Sequence, residues 1–190
     1  FASMLLLING CYTHVSAQSE TLPPLENVKI SLIPEFNRPC IRVIFEIELA
    51  DELSFPQTLT LYVPADAQIL TVASVDQEDQ SKDLTVDVAQ NGNLKRIQFR
   101  TSLPRIRIEY DDPNLIKQGE LRTFVFQWQS DHPVQTLSVT VRQPMGASQI
   151  FMDPPLFETV STVDEFKYYL AELGAISADD VLLLTLNYTK

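Results

Sequence analysis

Histidine, cysteine and glycine are all scarce in this chain, and each scarcity closes a route. The 190 residues hold two histidines, His14 and His132, and two cysteines, Cys11 and Cys40. A conventional zinc site draws on several His and Cys ligands, a disulfide framework needs paired cysteines, and a hydrolase triad needs a base beside its nucleophile. None of these is expected here. His132 lies between Asp131 and Pro133, which predicts a solvated turn. Cys40 has no nearby His or CxxC partner and is expected to be a small residue at a strand start. Five glycines against twelve prolines favour extended connections and edge-strand stops over flexible loops. A basic surplus is missing too: 14 Lys and Arg against 25 Asp and Glu give a net charge of -11. Such a surface disfavours nucleic acid and anionic lipid as partners. After residue 17 no apolar run approaches the roughly 18 residues of a membrane span.

What the chain has in quantity is period-two alternation. From Cys40 to Leu49, Ile41, Val43, Phe45, Ile47 and Leu49 share one parity, while Arg42, Glu46 and Glu48 share the other. Successive side chains of a strand point to opposite faces, so this pattern makes a sheet with one dry and one wet side. The same parity recurs at Val28 to Leu32, at Leu59, Leu61 and Val63, and at Leu84, Val86 and Val88, while Ile69 to Val75 reads as a strand of mixed face. The alternation returns at Ile97 and Phe99, at Ile106, Ile108 and Tyr110, at Leu137, Val139 and Val141, and from Val181 to Tyr188. Phe124, Phe126 and Trp128 place three large aromatics on one inner face. Asn91-Gly92 is the clearest hairpin signal, because tight turns need positive φ. Asp76 to Asp83 and Asp111 to Gly119 read as charged or turn-rich loops. The fold class expected is an all-β antiparallel sandwich, Ig-like in layout.

Residues 1–17 resemble the end of an export signal, with an apolar run from Met4 to Ile8 and Val15-Ser16-Ala17 as a small-residue cleavage pattern. No initiating Met and no basic residue precede Lys29, so the signal is expected to be truncated. The competing maturation acylates Cys11 directly after the apolar run and tethers the protein to a membrane. An extended leader over 18–27 and a single β-sandwich domain over 28–190 complete the expected organisation.

Five of the fourteen basic side chains, Lys95, Arg96, Arg100, Arg105 and Arg107, fall within one short stretch. They are the candidate site, a cationic patch for an acidic partner or anionic glycan. The competing reading pairs them across strands with acids such as Glu46 and Glu48, each pair adding about 0.2–1 kcal/mol. Glu35 and Arg38 flank a turn before the strongest strand; a ligand clamp and a turn staple are both consistent with them. Calcium could be offered oxygens by Asp76, Glu78, Asp79 and Asp83, or by Asp111, Asp112 and Asn114, but neither loop has the glycine-marked spacing of a calcium loop. Acidic pairs suited to glycoside hydrolysis are too common here to single one out. Outward Tyr62 is the one exposed aromatic expected on the early strands. No metal, no cofactor and no catalytic residue is expected, and the chain is expected not to be an enzyme.

Ile33-Pro34-Glu35-Phe36-Asn37-Arg38-Pro39 before a hydrophobic strand, Pro56, the run Tyr62 to Ala67, the stretch around Tyr110, Arg122 before the aromatic strand, Val141 to Ser148 and Asp153-Pro154-Pro155 together form a pattern spanning nearly all the mature chain. It resembles exported bacterial β-sandwich proteins of the cell envelope. The resemblance implies fold and an extracytoplasmic location (secreted, periplasmic or surface-anchored), and a C-terminal membrane anchor beyond an end like Thr185 to Lys190. It carries no catalytic residue. It also bears on one ambiguous segment, where Thr162, Glu165, Phe166, Tyr169, Leu170, Leu173 and Gly174 have the spacing of a capped helix. The resemblance implies a strand there, and the strand is preferred. The function expected is a binding or structural module of a cell-envelope assembly, partnered by a protein or glycan, with a carbohydrate-binding module as the alternative.

Overall fold

The computed structural model describes residues 22–160 and 166–190, and these are all β and loop. The expected export segment with Cys11, Tyr12 and His14 lies outside the described residues, as do Thr162 and Glu165. Three sheets share one core. The largest has eight strands: β1 (Leu25–Pro34), β2 (Ile41–Leu49), β4 (Gln68–Val75), β5 (Ser81–Asp83), β8 (Arg105–Asp112), β11 (Val134–Arg142), β13 (Phe157–Val160) and β14 (Lys167–Ile176), in the order β13-β14-β11-β1-β2-β8-β4-β5. A three-stranded sheet is ordered β3 (Gln57–Pro64), β7 (Leu94–Thr101), β6 (Val86–Asn91). A four-stranded sheet is ordered β12 (Ser148–Asp153), β15 (Val181–Thr189), β10 (Leu121–Gln129), β9 (Ile116–Gln118). All pairings are antiparallel except β1 with β11.

The parity of the sequence explains the layering. Ile41, Val43, Phe45, Ile47 and Leu49 of β2 are buried, as are Val28, Ile30 and Leu32 of β1 and Ile106, Ile108 and Tyr110 of β8. They join one cluster with Leu59, Leu61 and Val63 of β3, Ile97 and Phe99 of β7, and Phe124, Phe126 and Trp128 of β10. Phe45 marks the joint between layers: its ring lies 5.3 Å from Trp128, tilted by 57°, and 6.3 Å from Tyr110. Each such side chain contributes about 1.5–3 kcal/mol through burial, and Phe45→Ala would leave a cavity between two layers.

Several local expectations shift. Leu25, Glu26 and Asn27, placed in the leader, belong to β1, because Leu25 pairs with both Val134 and Leu49. The charged segment 76–83 ends as strand β5 paired with β4, and the segment 111–119 contains the end of β8 and all of β9. The hairpin turn sits one residue later than expected: Asn91 pairs with Leu94, so Gly92 and Asn93 form the turn, and Gly92 has φ +60. That is the glycine-first kind of two-residue turn. The ambiguous segment is strand β14. Pairing with β11 on one side and β13 on the other outweighs local helical spacing. Gly174, expected at a helix end, has φ +71 and lies at a register irregularity opposite Leu137, the position a bulge glycine takes.

Candidate functional site

The five predicted basic residues do not form one patch. Arg105 and Arg107 stand on β8, on the outer face of the large sheet, while Lys95, Arg96 and Arg100 stand on β7 of the three-stranded sheet. The register of the large sheet places Glu48 opposite Arg105 and Glu46 opposite both Arg107 and Lys29. These side chains line a groove of about 390 Å³. Arg107 contacts Glu46 at 3.3 Å and Glu109 at 2.7 Å, and Arg105 contacts Asp79 at 2.6 Å. On β7, Arg96 pairs with Asp87 at 3.3 Å, and Lys95 donates to the Ala67 carbonyl at 2.7 Å. The groove is a place where alternating charges answer one another across strands.

Glu35 and Arg38 do not pair with each other. Glu35 has φ +48, a left-handed backbone uncommon for a residue with a Cβ. Its carboxylate reaches across the layers: the Tyr188 hydroxyl donates to it at 3.0 Å, with Lys190 at 3.3 Å, Lys117 at 3.5 Å and Arg122 at 3.7 Å. Burial works against the charge on Glu35, yet Tyr188, Lys190 and Lys117 outweigh it and hold its pKa below the usual glutamate value. Burial and Glu35 push the Tyr188 phenol well up. Glu35 therefore bolts the β1–β2 turn to the four-stranded sheet. Arg38 instead donates to Gln68 at 2.8 Å and lies 3.9 Å from Asp111.

A larger opening, about 510 Å³, lies between the two small sheets and had no signal in the sequence. Its walls include Tyr62, Val63 and Pro64 of β3, Asn91, Asn93 and Leu94 around the β6–β7 turn, and Val125, Gln127, Trp128 and Gln129 of β10. Asp112, Asn114 and Asp131 close it, so the lining has two carboxylates and no cation. Asp112 is buried, and burial raises its pKa against the bonds it accepts from Asn114, whose backbone N–H and side-chain amide both donate at 2.9 Å. Tyr62, expected outward and alone, is half-buried in this wall, and burial with the nearby Asp131 raises its pKa. Trp128 is buried as expected, but its indole N–H has no acceptor among the described residues.

His132 is a correction. The expected solvated turn is buried at 2% exposure, and Nδ1 lies 2.8 Å from the Pro23 carbonyl. A carbonyl only accepts, so Nδ1 carries a proton. Local sequence could not show this, because the segment that covers His132 is more than a hundred residues away. Cys40 is buried just before β2, and burial raises the thiol pKa. In the segment 76–83, Asp76 accepts from the N–H groups of Glu78 and Gln80. Asp111 accepts from Arg42 at 2.9 Å. Among the described residues no three His, Cys, Asp or Glu side chains are grouped as metal ligands, and no helix is long and apolar enough to cross a membrane.

The outer face of the four-stranded sheet sets exposed apolar side chains among threonine, asparagine and glutamine. Val125, opposite Thr185, alternates with inward Phe124 and Phe126; Leu183 faces Gln127, Val181 faces Gln129, Phe151 faces Asn187 and Ile116 faces Thr123. Cross-strand partners share a face, so Ile116, Val125, Phe151, Val181 and Leu183 stand together outside, each more than half exposed.

No protein-family model and no curated protein matches the sequence. Solved structures do resemble the fold. A structure of native yeast LTA4 hydrolase matches with a TM-score of 0.51 at 11% identity over 87% of this chain. A second, of native leukotriene A4 hydrolase from Saccharomyces cerevisiae, gives 0.46 at 10% identity over 87%. A candidate protease from Parabacteroides distasonis gives 0.44 at 11% identity over 88%. This chain spans only 29%, 29% and 40% of those chains. The expectation that the chain is not an enzyme is overturned by this likeness to a hydrolase. It rested on the scarcity of His and Cys, and that composition judges only a stretch matching under a third of the yeast hydrolase.

Proposed function

We propose that this chain is the β module of an extracytoplasmic hydrolase-type protein of the cell envelope, acting as its binding and structural part. A hydrolase domain sits on the open face of the four-stranded sheet, and the cleft between the small sheets lies at that face's edge. The observation that carries this is the outward row of Ile116, Val125, Phe151, Val181 and Leu183. Several large apolar side chains, each more than half exposed on one sheet face, favour an interaction site there. The length of the yeast hydrolase beyond the matched 29% supplies the class of occupant. The export-like residues 4–17 support the location, and loops displayed at strand ends, as in an Ig-like layout, are the finer form of the same reading.

Carbene footprinting tests it. In the 190-residue chain Phe151 and Leu183 label strongly. In the protein made from the complete reading frame they are expected to be protected, and Val125→Asp with Leu183→Asp lowers its turnover of peptide substrates while leaving the β fold intact. Equal labelling in both proteins removes the reading. The second reading, a carbohydrate-binding module, is favoured by the amides of Asn91, Asn93, Asn114, Gln127 and Gln129 around the cleft. It requires retardation on polysaccharide gels.

A further inference from the structure

The cleft follows the edge of a strand. Gln127 and Gln129 belong to the outward parity of β10 and Trp128 to the inward one, yet all three line the opening. Consecutive residues of both faces can border one cavity only where it runs along the strand's side. On that side β9 pairs with β10 only as far as Thr123, so residues 124–129 have no neighbouring strand there among the described residues. Tyr62, Val63 and Pro64 show the same succession on β3, which among the described residues is paired only with β7. Unpaired strand edges present rows of N–H and C=O groups and template the addition of another strand.

One further feature selects what could enter. Asp112, 4% exposed, and Asp131 are carboxylates in a lining without a cation. A sugar would want an open aromatic face for stacking, and the Trp128 ring is packed against Phe45. An extended peptide satisfies both features: its main chain pairs with the strand edge, and a basic side chain meets the carboxylates.

We propose that the cleft is a docking groove for an extended peptide segment bearing a basic residue, added as a strand along residues 125–129 of β10 with Asp112 and Asp131 taking the cation. The bordering stretch is about 13 Å long at ~3.3 Å per residue, enough for a short segment. Val125, Gln127 and Gln129 belong to both the cleft and the open face, so the groove is tested in the 190-residue chain, where that face is uncovered.

The test uses the 190-residue chain and fluorescence anisotropy with a labelled peptide of about seven alternating threonine and lysine residues. Two further peptides accompany it: one with glutamate in place of lysine, and one with alternate backbone nitrogens methylated. The lysine peptide is expected to bind. Asp112→Asn and Asp131→Asn each weaken it about tenfold, methylation weakens it by a similar factor, and the glutamate peptide does not bind. The methylated peptide keeps its charge, so its loss separates main-chain pairing from general attraction to a surface of net charge -11. Equal binding of the methylated peptide overturns the proposal, as does unchanged affinity in both Asp variants. Binding of soluble oligosaccharides with no peptide binding, or no binding of any probe, overturns it too. These outcomes are independent of the footprinting of Phe151 and Leu183.

Discussion

Asp111 and Asp112 are neighbours on β8, equally buried at 4% exposure, and they face opposite ways. Asp111 has the outer parity and meets Arg42, whose Nε donates to it at 2.9 Å and whose terminal nitrogen lies 3.4 Å from its second oxygen. Asp112 has the inner parity, borders the cleft and accepts only from the neutral Asn114. One carboxylate is matched by a charge and the other is not. The same difference separates the groove, where Glu46 answers Arg107, from the cleft, whose lining holds two carboxylates, one of them hydrogen-bonded to Tyr62, and no cation. Residues that a fold has already paired serve the fold; residues it leaves short of partners are the ones available to a ligand.

The comparison breaks first at Asp111. Asp111→Ala strands the mostly buried Arg42 and is expected to cost about 3 kcal/mol, the scale on which losing one member of a buried pair is felt. Urea denaturation at neutral pH measures it. A cost near zero would mean that solvent replaces the carboxylate freely and that the two aspartates differ in nothing that matters.

Asp112→Asn should act in the opposite direction. Because burial raises the pKa of Asp112, the folded chain holds its proton more tightly than the unfolded chain. The wild type therefore loses stability as pH rises from the ordinary aspartate value through the raised one. Asp112→Asn lacks that loss and should be more stable at neutral pH by about 0.5–2 kcal/mol, the usual size of a stabilising substitution. Glu35 supplies the contrasting sign. Its pKa is lowered, so its contribution is present above the ordinary glutamate value and is lost as pH falls through the lowered one. Thermal melts from pH 3 to 7 on the wild type, Asp112→Asn and Glu35→Gln should show the upper part of the profile flattened in the first variant and the acid limb flattened in the second.

Parity made much of the fold legible. The alternation of Ile41 to Leu49 and of Phe124, Phe126 and Trp128 states which side is buried, and the structure buries those sides. Parity also made the groove legible, because Glu46, Glu48, Arg105 and Arg107 lie at outward positions of strands that turn out to be adjacent. The cleft was not. Its walls come from β3, the β6–β7 turn, the end of β8 and β10, and nothing in their sequences states that the two small sheets leave an edge unpaired between them. Trp128 shows the limit most clearly, since its burial was foreseeable while its unmet N–H depends on what stands opposite. His132 and β14 failed or wavered for a related reason: a local reading has no access to Pro23 or to strands β11 and β13.

The smallest effect sharpens the contrast from the other side. Arg107 is partly exposed and touches Glu46 and Glu109, while Arg105 is partly exposed and touches Asp79. Exposed pairs of this kind contribute little and are screened by salt. Arg107→Gln should cost no more than about 0.5 kcal/mol at low ionic strength, with the difference from wild type closing as salt is added. Reversal to Glu at positions 105 and 107 sets like charges beside Glu46, Glu48 and Asp79 and should cost somewhat more, again less so at high salt. If the groove only holds strands in register, neither change alters binding of the lysine peptide beyond a small long-range term. If the original cationic patch binds an acidic partner, charge reversal abolishes capture of that partner while leaving the peptide affinity of the cleft intact. Melts across a salt series, run beside the anisotropy titration, separate the two outcomes.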